Sequence, residues 1–266
     1  MINKNKKKIV NLKNKNIFIN ECIKLLPIIK NIKIKNIKKN LLNETVIIEF
    51  RCLNHLEFII RNMIIKLPNW SHTVICGNIN YEFIKKMNIH NNLNIIKLNI
   101  NNCSVEEYNN LLLTEYFWNL LNGEKVLIYQ EDSFIFHNKI NNFLKYDYIG
   151  APWGKNFDGN KNNVGNGGFS LRTKSKMIDC IKKIKPNQLK LNNKTIKRMK
   201  ICNLHVPPED IYFSKTLIDF NLGLVAPWNI AREFSEESVK SNNSLGGHQF
   251  WIKNPNRIYS IKNFLI

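Results

Sequence analysis

The chain has 266 residues, enough to bury a substantial core as one large domain or as one domain with an extension. Its formal net charge is +20, but the excess is lysine accompanied everywhere by asparagine and isoleucine, three residues that share A/T-rich codons. The charge is therefore read as solvated lysine on outer faces, and nucleic acid is not the expected partner.

Residues 1–43 are strongly basic and low in complexity, and are expected as an N-terminal extension with a helix around 17–39 and a frayed first dozen residues. A single domain is expected over residues 44–266. TVIIEF (45–50) is a β-branched apolar run, hence a buried strand, and LEFIIRNMIIKL (56–67) has helical spacing. TVICG (73–77) predicts a second strand closed by Gly77, with a short helix near 80–87, and NIIKLNI (94–100) predicts a third strand. SVEEYNNLLLTEYFWNLL (104–121) opens with serine and has glutamate three residues on, the capping-box pattern before an amphipathic helix.

KVLIYQ (125–130) is a further strand, followed by YDYIGAPW (146–153), a Gly/Asn-rich loop (154–163) and VGNGGFSLR (164–172) running into a strand. A helix is expected at 173–185, a variable basic insertion at 186–206, a helix from PPED at 207–220 and a strand at LGLVAPW (222–228). Strands alternating with helices argue an α/β fold with a mainly parallel sheet covered by helices. Ligands of such sheets bind at the carboxyl ends of the strands.

Cysteines at 22, 52, 76, 103, 180 and 202 include no CxxC pair, which excludes a metal knuckle and a disulfide framework and suggests reduced thiols in a cytoplasmic chain. No segment approaches the roughly 18 consecutive apolar residues of a membrane span, and no apolar signal core opens the chain.

Glu131 and Asp132 close the strand at 125–130 in a chain with only six aspartates. Such a pair is either a plain turn or the site of a divalent cation, held by Asp132 with Glu131 or Gln130 beside it, because desolvating a carboxylate is costly unless a cation meets it. Glu49 and Arg51 end the first strand at the same edge, either as an ion pair or, with Gly77, as contacts to a nucleotide. VGNGGFSLR is either a glycine-rich turn or a wall for a sugar or its phosphate, with Asn166, Gly167, Gly168, Ser170 and Arg172 in reach. Trp153 is a rigid aromatic surface at a loop start.

Glu209 and Asp210 either stabilise a helix N-terminus, worth roughly 0.3–1 kcal/mol each, or include a base for an acceptor hydroxyl. His248, after Gly246-Gly247 and before Phe250-Trp251, is either structural or a late-arriving metal ligand on a mobile tail. The histidines at 55, 72, 90, 137 and 205 form no ligand spacing.

In this order, VIIEFR, LIYQEDS, YDYIGAPW, VGNGGFSLR, PPEDIYFS, FSEES and GGHQFW, the chain resembles a glycosyltransferase-like domain family of unknown function. That family is common in large DNA viruses and found in fungi and other microbes, and the likeness spans roughly residues 44–252. Its members look like GT-A glycosyltransferases, so the resemblance implies a GT-A-like (Rossmann-like) fold. It also implies a hexosyltransferase-like enzyme moving sugar from a nucleoside-diphosphate donor to a glycan or protein hydroxyl with Mn²⁺ or Mg²⁺.

By the resemblance Asp132 takes the place of the last aspartate of an Asp-X-Asp motif, Gln130 that of the first, and His248 that of the C-terminal metal-binding histidine. Gly167-Gly168 corresponds to the glycine pair at the donor–acceptor boundary, and Glu209-Asp210 to the acidic pair that carries the base in inverting enzymes. For a viral member the location would be the host cytoplasm or the virion. Two other classes stay open: a non-catalytic glycan- or nucleic-acid-binding module on a degenerate transferase fold, and a metal-dependent nuclease or phosphatase. The second needs more clustered carboxylates than this chain offers.

Overall fold

A computed structural model describes residues 2–34, 40–87, 89, 92–154 and 159–265. The elements are α1 (Ile2–Lys30), β1 (Asn40–Ile48), α2 (Leu56–Lys66), β2 (Trp70–Cys76), α3 (Tyr81–Lys85), β3 (Asn94–Lys97), α4 (Val105–Leu112), α5 (Glu115–Asn119) and β4 (Lys125–Tyr129). After them come β5 (Ser133–Ile135), β6 (Tyr148–Pro152), β7 (Val164–Thr173), α6 (Lys174–Lys183), α7 (Asn193–Ile201), α8 (Glu209–Asp219), α9 (Trp228–Phe234), β8 (Ser235–Glu236) and β9 (Gly246–His248). Short 3₁₀ turns at Phe250–Ile252 and Pro255–Phe264 follow.

The fold is mixed α/β with a mainly parallel central sheet flanked by helices. Its strand order is β3-β2-β1-β4-β7-β6. The pairs β3–β2, β2–β1 and β1–β4 are parallel, whereas β7 lies antiparallel to both β4 and β6. Apolar β-branched runs fill the inner strands, and Val46, Ile47, Val74, Ile75, Leu127 and Ile128 are fully buried. Such runs read as buried on both faces. A second, three-stranded sheet runs β5-β9-β8.

Three local expectations are revised. The helix expected over 104–121 is two: the Ser104–Glu107 capping box opens α4, but Thr114 Oγ1 accepts from Phe117 N and starts α5 afresh. The segment at 222–228 makes only an isolated bridge from Val225 to Tyr148, because Pro227 lacks the N–H a ladder needs and leads into α9 instead. The basic stretch at 186–206 contains the helix α7, capped by Asn192 accepting from Thr195 N.

The N-terminal segment differs most. α1 runs from residue 2 to 30 rather than 17 to 39, and β1 begins at Asn40, inside the stretch expected as extension. Phe18, Cys22, Leu25 and Ile29 form a buried stripe on α1. Phe18 packs edge-on to Phe250 and against Trp251, whose indole N–H donates to Asn11 Oδ1 at 2.8 Å. Lys30 Nζ reaches Glu57 at 2.9 Å on α2. Spacings of three and four residues put these side chains on one face, and that face is docked.

Candidate functional site

The strand order reverses between β1 and β4, where one parallel neighbour leads outward and the other leads into β7. In open α/β sheets a crevice forms beyond the carboxyl ends of strands at such a reversal. Here it is a cleft of about 400 Å³ lined by residues after β1 (Glu49, Phe50, Arg51), after β4 (Gln130, Glu131, Asp132), and by Lys15, Tyr108 and Gln249. The N-terminal end of α4 closes one side with Ser104 and Val105.

Glu49 Oε1 accepts from the backbone N–H groups of Phe50 and Arg51 at 3.0 and 2.9 Å, and its two oxygens take Arg51 Nε and Nη2 at 2.7 Å each. The bidentate pair fixes a guanidinium whose outer half stays exposed at the cleft. Arg51 Nη2 also stands 3.5 Å from Glu131 Oε1.

The carboxylates of Glu131 and Asp132 are buried and fully engaged. Glu131 Oε1 receives Lys15 Nζ at 2.5 Å, and Glu131 Oε2 lies 2.9 Å from His55 Nε2. Asp132 Oδ2 receives Lys15 Nζ at 3.1 Å and Gln249 Nε2 at 3.0 Å, while its Oδ1 lies 3.0 Å from His248 Nε2. Burial works against the ionised form of each acid, but the cations around them prevail: both carboxyls are held below their usual range, and the His248 imidazolium is stabilised by Asp132 and Glu237.

Gln249 holds this turn in a left-handed conformation (φ 45°), donating its backbone N–H to Asp132 O. Bulky residues rarely adopt that region. His248 is not on a mobile tail. β9 pairs it with Ser133 in β5, and it is buried with Glu237 Oε2 3.1 Å from its Nδ1.

A divalent ion bound through Asp132 and His248 needs lone pairs from both aimed at one point. Instead the two side chains bond each other, and all four oxygens of Glu131 and Asp132 have protein donors. Among the described residues no group of three or more His, Cys, Asp or Glu could hold a metal ion. In this arrangement the residues do not fit a divalent cation.

The glycine pair of β7 connects this cluster to the second acidic pair. A Cβ on Gly168 would come within 2.4 Å of the His248 ring, and one on Gly167 within 2.7 Å of Glu209 Oε1 and 3.1 Å of Asp210 Cβ. Successive strand residues face opposite sides of a sheet, so the two glycines let the sheet pass between the two acid clusters. Only glycine leaves that room.

Glu209 is not an available base. It is buried against the fully buried Arg172, whose Nη1 and Nη2 both reach it, and Ser170 Oγ accepts from Arg172 Nε at 3.0 Å. Its backbone N–H donates to Asn109 Oδ1, and Asn109 Nδ2 donates to Pro207 O at 3.1 Å, which ties α8 to α4 and the cleft wall. Asp210 has no ion-pair partner among the described residues. Burial, then the neighbouring Glu209 charge, push its carboxyl up to about 7. Asp210 is partly exposed.

Other expected site residues make contacts within the fold. Gly77 does not line the cleft: its N–H donates to Asn80 Oδ1 at 2.9 Å, and a Cβ there would meet Ile100 O at 2.3 Å. Ser170 is fully buried and positions Arg172, donating its own proton to Gly167 O at 3.0 Å. Trp153 is buried over Gly159 and Gly165, and its indole donates to Asn166 Oδ1 at 3.0 Å. Asn166 Nδ2 is buried without a hydrogen-bond partner among the described residues. Residues 155–158 of the expected Gly/Asn-rich loop, and His90, lie outside the described residues.

Sequence reasoning missed Lys15, His55, Tyr108 and Gln249. Lys15 had a signal: residues 11, 15, 18, 22, 25 and 29 follow alternating spacings of four and three, so a lysine interrupts a docking stripe. Nothing local marks His55.

No curated protein matches the sequence. Among solved structures, the glycosyltransferase GlyE of Streptococcus pneumoniae superposes with a TM-score of 0.42 at 12% identity over 71% of this chain and 45% of that one. The inositol-1-phosphate CTP transferase of T. maritima gives 0.48 at 9% identity over 85% and 97%. S. aureus TarS residues 1–349 give 0.42 at 13% identity over 84% and 64%. The chain thus spans less than two thirds of the GlyE and TarS chains, and none of these likenesses bears on function. A sequence family, described as Protein of unknown function (DUF5672), matches residues 92–248, well over half of the chain, and the chain belongs to it.

Proposed function

We propose that the cleft binds a nucleoside-diphosphate sugar and that the chain is a glycosyltransferase acting on a hydroxyl acceptor. The observation that carries this reading is the placement of the Gly167-Gly168 pair. Gly168 lies against the cluster at the cleft and Gly167 against Asp210, so a donor-side charge cluster and a carboxyl near neutrality share one strand. A base with a pKa close to the operating pH combines adequate basicity with a useful deprotonated fraction.

In the reaction the Asp210 carboxylate takes the proton of the acceptor hydroxyl. The acceptor oxygen bonds to the anomeric carbon as the bond from that carbon to the diphosphate oxygen breaks, and the electron pair leaves on the diphosphate. A single displacement of this kind inverts the anomeric centre. Arg51 and Tyr108, which line the cleft, would contact the nucleotide. Burial, then the Glu209 charge, keep Asp210 basic, and Arg172 holds Glu209 in place.

The test is release of nucleoside diphosphate from a panel of nucleotide sugars, with and without Mn²⁺, followed by NMR of the product anomer. Release that Asp210→Asn abolishes supports the reading, and an inverted product supports the single displacement. Absence of turnover together with absence of nucleotide binding overturns it in favour of a binding module. A retained anomer removes Asp210 from the role of base.

A further inference from the structure

Lys15 reaches the carboxyl edge of the sheet from outside it. The helix that carries it is docked by its own apolar stripe, Phe18, Cys22, Leu25 and Ile29, with Asn11 bonded to Trp251 one turn earlier. Lys15 occupies the stripe position between Asn11 and Phe18, where an apolar residue would pack. Burying an ammonium there costs free energy unless charges answer it, and the answer is Glu131 Oε1 at 2.5 Å and Asp132 Oδ2 at 3.1 Å. The reverse also holds, because two adjacent buried carboxylates need a cation between them.

One ammonium bridging two carboxylates is the arrangement a divalent ion would adopt between them. The bridge uses two of the three N–H donors of the lysine, and the side chain remains 29% exposed on the wall of the cleft. Arg51 stands beside it, 3.5 Å from Glu131 Oε1.

We propose that Lys15 is a tethered substitute for the divalent cation: it fills the metal's place between Glu131 and Asp132 and offers its remaining N–H, with Arg51, to the diphosphate of the donor. The diphosphate half rests on the transferase reading; the occupation of the metal's place does not. Binding of a nucleoside diphosphate then needs no added metal, and the acid pair is closed to Mn²⁺ while Lys15 is present. Removing only its charge frees Glu131 Oε1 and one side of Asp132 Oδ2 for a divalent ion, while His55, His248 and Gln249 keep their bonds to the pair.

The first arm uses Mn²⁺ alone on the full chain, read by thermal unfolding and by loss of the free Mn²⁺ EPR signal. The chain and Lys15→Arg are expected to show no shift with about 1 mM Mn²⁺. Lys15→Met keeps the unbranched stem of the side chain without its charged end, and is expected to start with a lower midpoint that rises with Mn²⁺, as any ligand of the native state alone requires. A chain that binds Mn²⁺ as tightly as Lys15→Met, or a Lys15→Met variant that folds and ignores Mn²⁺, overturns the substitution. The second arm titrates UDP and GDP by calorimetry in EDTA. Binding that persists, and that Lys15→Met weakens about tenfold or more, the 1.4 kcal/mol scale of one charge-assisted contact, supports the proposal. Binding that EDTA abolishes overturns it. Failure of either nucleotide to bind under any condition sinks the transferase reading, and the Mn²⁺ arm still decides what Lys15 occupies.

Discussion

Two Glu-Asp dipeptides, 131–132 and 209–210, lie on either side of one strand and behave in opposite ways. The first is met on every oxygen, by Lys15, His55, Gln249 and His248, and both of its carboxyls are held low. The second has Arg172 bonded to Glu209 and no ion pair on Asp210 among the described residues, so burial and then the Glu209 charge outweigh the attraction of Arg198 and Arg172, and the carboxyl of Asp210 rises to about 7. Identical side chains in identical order thus yield a fixed charge cluster and a titrating acid. The difference lies in how many cations the fold delivers to each.

The comparison breaks most severely at Arg172. Replacing it with Met leaves Glu209 buried without a partner, and a loss of about 3–5 kcal/mol is expected in chemical denaturation, as when one member of a buried ion pair is removed. Asp210→Asn should leave the fold intact and lower turnover by about 10²–10⁴-fold, the usual contribution of a positioned base.

Its pH dependence sharpens the same point. The folded pKa of Asp210 lies above the unfolded value of about 3.9, so the native state binds the extra proton. That stability is fully present below about pH 4 and is lost as pH rises through about 7. Thermal unfolding from pH 4 to 8 should therefore show Asp210→Asn gaining on the parent chain as pH rises. Turnover of the parent chain should rise over the upper part of that window, because the working form is the deprotonated one. A flat rate profile would remove Asp210 from the chemistry.

A smaller effect is expected from Gly168→Ala, whose methyl group would fall 2.4 Å from the His248 ring and force it off Asp132. The overpacking cost is about 1–3 kcal/mol, read in unfolding. The smallest change in stability belongs to Arg51→Ala. Arg51 is half-exposed, and the buried Glu49 keeps the backbone N–H groups of Phe50 and Arg51 when the guanidinium is lost, so the free energy of unfolding should fall by about 1 kcal/mol while nucleotide affinity falls.

Much of this was legible in the residues. The apolar runs at 45–50, 73–77 and 125–130, alternating with helical spacing, announced a mainly parallel sheet, because strands buried on both faces must be apolar throughout. Glu131-Asp132 could be placed at the carboxyl edge, Gly167-Gly168 picked out as a close approach, and Ser104 with Glu107 read as a cap. Other features were out of reach. Ser170 and Gly77 look like ligand contacts in one dimension, yet one buttresses Arg172 and the other makes room for the Ile100 carbonyl. His248 follows two glycines that read as flexible, but both glycines are paired in a strand. β7 joins the sheet antiparallel, a choice of direction that no local pattern encodes.

By itself the sequence determined which segments could be buried, because hydrophobic periodicity and capping act within a few residues, and it determined that the Glu131-Asp132 pair at the strand end would need compensation. Only the tertiary structure decided who compensates them. Lys15 and Glu131 are 116 residues apart, and Coulomb interactions depend on distance in space and on the surrounding dielectric rather than on position in the chain. The fate of each carboxyl was settled when α1 and β7 packed where they did.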